Sequence, residues 1–149
     1  MKFSRDYRRA HRILKAAQEL SALSDGAIRD LFSRHRRRLA TGSPESSSVN
    51  ECFALTIEAT DRVLQKRLYP VQVMAGLDLL RNGMVEMATG EGKTLTALLP
   101  IVLRSFRGLG VHVVTANPYL AERDAQLLSP VLNFAGLTGG SLRDDMDAA

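Results

Sequence analysis

The chain has 149 residues, 45% hydrophobic and 24% charged, a balance that suits one soluble domain with a real core rather than a disordered or fibrous protein. No apolar run approaches the roughly 20 residues that cross a bilayer; the longest, from Leu95 to Leu103, contains Thr96 and Pro100. The net charge of +4 is uneven: residues 1–40 hold 11 Lys/Arg against 4 Asp/Glu, and residues 41–149 hold 9 against 12, so a +7 arm precedes a −3 body.

That arm suits an anionic partner, whether acidic lipid, nucleic acid or an acidic protein face, and equally suits a solvated helix. The opening residues lack the apolar centre of a secretory signal, and Asp6 and Glu19 speak against a transit peptide. Apolar spacing predicts a first helix from about Ser4 to Leu20, with Ile13, Leu14, Ala17 and Leu20 along one side. Ser24-Asp25 starts a second, whose stripe is Ile28, Leu31, Phe32, His35 and Leu39. His35 lies on that stripe and reads as structural. Arg36-Arg37-Arg38 would sit in the last turn, where cations oppose the negative end of the helix dipole.

TGSPESSS, residues 41–48, reads as a flexible linker. A third helix is expected over about Glu51 to Lys66, and a fourth from Pro70, closed by Gly83. The single cysteine, Cys52, excludes an internal disulfide and a cysteine zinc site, and reads as a buried thiol in a cytosolic protein.

From residue 84 the pattern changes. Met84 to Met87 reads as a short apolar strand, Ala88 to Gly92 as a glycine turn and Lys93 onward as an apolar helix that Pro100 should kink or end. VHVVT at 111–115 reads as a second strand, and Asn117-Pro118 as a capped helix start. The expected fold class is therefore α/β: a helical preamble, then the first βα units of a P-loop nucleotide-binding domain, incomplete. The expected units are residues 1–40, a basic helical segment; 41–48, a linker; 49–138, the start of the nucleotide-binding domain; and 139–149, a polar disordered tail.

The turn carries the chemistry. Phosphate needs a concave array of backbone N–H groups, which glycines allow, and a helix start adds a positive dipole end. Thr89 to Thr94 spells TGxGKT, with Gly90, Glu91 and Gly92 in the loop. Lys93 would meet the β/γ-phosphates, and the Thr94 hydroxyl would bind Mg²⁺. Met87 stands where the commoner GxxxxGK[ST] loop has its first glycine. Gln72, upstream, is a candidate reader of the adenine edge.

Leu23-Ser24-Asp25, RLYPVQVMAGLDLL, EMATGEGKT and GVHVVTANPYLAERDA closely resemble the start of the SecA preprotein translocase ATPase family, over about residue 21 to Thr138. The resemblance implies a helicase-like motor with two RecA-like domains and a preprotein-binding domain. It implies ATP or ADP and Mg²⁺ held by Gly90, Glu91, Gly92, Lys93 and Thr94, adenine contact by Gln72, and arginines near the nucleotide at Arg67 and Arg123. Its partners would be preproteins, a membrane translocation channel and acidic phospholipids, and its location the cytoplasm, peripheral at the inner face of the cell membrane. Ala88 and Pro118 depart from the family's lysine and aspartate.

Hydrolysis also needs a Walker B carboxylate after a buried strand. Glu122 and Asp124 fall on an expected helix, and Asp144, Asp145 and Asp147 follow no such strand. The expectation is an N-terminal fragment that holds nucleotide weakly without turnover and tends to self-associate through bare strand edges. A nucleic-acid helicase fragment is a second reading, although the Pro-Thr-Arg element of such enzymes is absent and aromatics are 5% with no Trp, so no nucleic-acid partner is expected. A membrane- or partner-binding adaptor with a vestigial loop is a third, and a small P-loop kinase the least favoured.

Overall fold

A computed structural model describes residues 2–40, 46–108 and 110–142. It contains six helices: α1 (Lys2–Leu20), α2 (Asp25–Ala40), α3 (Ser46–Leu64), α4 (Pro70–Leu80), α5 (Lys93–Ser105) and α6 (Pro118–Phe134). Among the described residues there are helices and no strand, so the expected α/β class with βα units is contradicted.

The reason lies in the two apolar segments read as strands. A strand is held by ladder hydrogen bonds to a neighbour, and two alone make a marginal sheet. Residues 84–87 and 111–115 make no backbone bonds to one another, and several of their side chains face water: Met84 is 100% exposed and Val114 91%. Their composition is that of interior strands, but they run as connecting segments into and out of helices.

Helical period is a local signal, and the helices form close to where it places them. α3 is the centre, packed against α1, α2, α5 and α6. Residues 52 to 60 are buried without a break, as expected of a helix enclosed on all sides. Its internal threonines are satisfied within the helix: Thr56 Oγ1 donates to Cys52 O at 2.8 Å and Thr60 Oγ1 to Thr56 O at 2.7 Å. Cys52 is fully enclosed, and burial pushes its thiol up to about 12, so it stays protonated and inert.

Several boundaries moved. α3 begins at Ser46, so the last three residues of the expected linker form its first turn, and Ser48 is buried. Residues 41–45 and most of the expected tail, 143–149, lie outside the described residues. Pro100 is buried inside α5, which continues to Ser105 rather than ending. Asn117 caps α6 as expected, its side chain accepting from Leu120 N at 2.9 Å with Pro118 in the first turn.

The basic arm is not a detached preamble. Ala10, Ile13 and Ala17 of α1 and Ile28, Phe32 and Leu39 of α2 belong to the common core. α1 is fastened to the end of α4 by a two-pronged pair: Arg81 donates to the two carboxylate oxygens of buried Asp6 at 2.8 and 2.9 Å. The exposed side of α1 carries Arg5, Arg8 and Arg12.

Candidate functional site

The loop between α4 and α5 takes its shape from two glycines. Gly90 has φ +88° and Gly92 φ +77°, both in the left-handed region that costs other residues dearly. Nothing stands within 4 Å of where a Cβ on Gly90 would point, so the loop is open there. Gly92 is different: a Cβ there would run into Gln72 Nε2. It is also the N-cap of α5, and no side chain caps that helix. The first amides of α5 therefore have no intrahelical acceptor, which leaves donors and a positive dipole end facing the loop.

Gln72 ties this loop to α4. Its Oε1 accepts from Tyr69 N at 2.8 Å, closing the first turn of α4, and its Nε2 donates to Glu91 O at 2.8 Å. The side chain is buried. An amide has two N–H groups and two lone pairs, so these two bonds use one donor and one lone pair of Gln72.

Glu91 and Lys93 close the loop on itself. Glu91 Oε2 accepts from Ala88 N at 2.7 Å, and Lys93 Nζ donates to Ala88 O at 2.9 Å. The ammonium thus rests on a neutral carbonyl, a contact that a phosphate oxygen would outcompete because ionic acceptors bond more strongly. Thr94, in the first turn of α5, donates from Oγ1 to Asp124 Oδ1 of α6 at 3.3 Å. The same oxygen accepts two N–H groups from Arg123, at 3.0 and 2.7 Å.

Gln72, Gly90, Glu91, Gly92, Lys93 and Thr94 therefore gather in one place, and the set fits a phosphate with a divalent cation: open glycine backbone, uncapped helix start, one exposed cation and one hydroxyl. Arg67 stands apart; it is 80% exposed along its side chain and pairs with Asp61 of α3 at 2.9 Å. Arg123 reaches the site only through Asp124. In the sequence Asp124 stands only as an acid on an expected helix, outside any Walker B strand. Its position could have been read: Asp124, Leu128 and Val131 follow helical spacing on one stripe, with the two apolar members buried. The carboxylate heads the face of α6 that turns inward.

Comparison with known proteins identifies the family. The SecA DEAD-like domain family matches residues 2–149. The protein translocase subunit SecA of Bartonella bacilliformis is 42% identical over 146 residues, covering 93% of this chain and 16% of the relative. That of Neisseria gonorrhoeae is 42% identical over 143 residues, covering 95% and 16%. That of a Psychrobacter species is 48% identical over 126 residues, covering 83% and 14%. The chain thus spans less than a fifth of the length of these relatives. On the match along its length and the glycine loop it folds, the chain belongs to the SecA DEAD-like domain family.

Proposed function

We propose that the chain is the ATP-binding portion of a SecA-type motor for preprotein translocation, and that by itself it holds Mg·ATP or Mg·ADP weakly without turnover. The observation that carries this reading is the left-handed Gly90–Gly92 loop running into the uncapped start of α5, with Lys93 and Thr94 in the first turn. In this reading Lys93 Nζ leaves Ala88 O to pair with the phosphates, the α5 amides donate to them, and Thr94 offers its hydroxyl oxygen to the cation. Bound magnesium would neutralise part of the β/γ-phosphate charge. Gln72 holds the loop against α4 and keeps one donor and one acceptor for the adenine.

Turnover needs a carboxylate to hold the cation opposite Thr94 and a group to orient water. Among the described residues no carboxylate follows a buried strand, because there is none. By family, the wider partners would be preproteins, a translocation channel and acidic phospholipids, at the inner face of the membrane. The exposed arginines of α1 suit the last of these. No helix among the described residues is long and apolar enough to cross a membrane.

Calorimetric titration with Mg·ADP tests the reading. Saturable binding should weaken about tenfold or more in Lys93→Ala, the worth of one charge-assisted hydrogen bond. Absence of binding at millimolar nucleotide, or equal binding by the variant, would contradict it.

A further inference from the structure

Asp124 reaches the phosphate loop from a different helix, 30 residues downstream, and meets the one side chain proposed to touch the cation. A hydroxyl has one proton and two lone pairs. By donating that proton to Asp124 Oδ1, Thr94 keeps both lone pairs for a cation. The nearby negative charge also makes the hydroxyl oxygen a better donor of electron density, as carboxylates do for other metal ligands from one bond away. Asp124 is largely enclosed, with 18% of its side chain exposed, and two N–H groups of Arg123 fix the same oxygen. The carboxylate is thus held in place from one side while it holds Thr94 on the other.

We infer that Asp124 is a positioning residue for magnesium: through Thr94 it sets how strongly the cation strengthens nucleotide binding, and Arg123 keeps it aimed. This rests on the nucleotide-binding reading above. The alternative is that the Asp124–Thr94 bond only staples α6 to α5. The two differ in what they do to the magnesium dependence. Loss of a staple weakens binding with and without the cation alike, whereas loss of an orienting carboxylate weakens binding chiefly when the cation is present.

The experiment measures ADP affinity of the 149-residue chain in excess Mg²⁺ and in EDTA, for wild type, Asp124→Ala, Asp124→Asn and Arg123→Ala. The quantity read is the ratio of the two dissociation constants. Removing an outer carboxylate typically costs about ten- to a hundredfold in metal affinity. The ratio should therefore fall about tenfold in Asp124→Ala. It should fall less in Asp124→Asn, whose carbonyl still accepts from Thr94, and least in Arg123→Ala. Circular dichroism identifies a variant that has unfolded, and the near-isosteric Asp124→Asn then carries the test. A wild-type ratio in both Asp124 variants would overturn the inference while leaving the loop as a nucleotide site. Failure of wild type to bind ADP under either condition would overturn the parent reading and this inference with it.

Discussion

Gly92 answers to two demands at once. Its backbone is left-handed, and a Cβ would strike Gln72 Nε2, the group that holds Glu91 O. Gly92→Ala should therefore break the Gln72 link as well as strain the backbone, lowering stability by about 1–2 kcal/mol and weakening nucleotide binding. Gly90→Ala meets no neighbour, so its cost should come from backbone strain alone. Chemical denaturation of the two variants should rank Gly92→Ala as the less stable, and the reverse order would show that the Gln72 contact matters little. At His35, burial lowers the imidazole pKa; Glu51, 3.0 Å away, opposes this, and Arg38 and Arg34 reinforce it. A histidine depressed in the folded state binds protons more readily when unfolded. Its contribution to stability is thus present above about 6.5, the unfolded value, and is lost as pH falls through that value toward the folded one. Melting temperature should drop between pH 7 and 5 more steeply in wild type than in His35→Gln.

Elements differed in how far the sequence announced them. Helices α1 and α2 show as apolar stripes, α4 as a proline start closed by Gly83 and α6 as a cap-and-proline start, because each signal lies within a few residues. Residues 84–87 and 111–115 have the composition of strands, but pairing is a long-range property that composition does not supply. Backbone amides there should exchange with deuterium far faster than those of buried α3. Slow exchange at 84–87 and 111–115 would show a ladder in solution and restore the sheet. The phosphate loop was legible residue by residue, since Gly90, Gly92, Lys93 and Thr94 act through adjacent backbone. The double engagement of Gln72 and the Asp124 contact were not, because they depend on α4 and α6 closing around the start of α5.

Across the whole molecule, the basic arm and the loop-bearing body are one packed unit joined partly by Asp6 and Arg81. Asp6→Ala would remove the two-pronged pair and leave the guanidinium only Asp78, at 3.3 Å. Breaking buried pairs costs about 3–5 kcal/mol, and since Arg81 keeps a third of its side chain in water we expect about 2 kcal/mol, read by urea denaturation. A wild-type midpoint would mean that α1 is held by its apolar face alone. The central claim is that this chain holds a nucleotide and does not spend it. Stoichiometric [γ-³²P]ATP with Mg²⁺, assayed in parallel for retention on a filter and for released phosphate, tests both halves. The expected result is intact ATP retained by wild type, lost in Lys93→Ala, with phosphate release no faster than buffer. Release that exceeds buffer and disappears in Lys93→Ala, or no retention by wild type, would contradict the account.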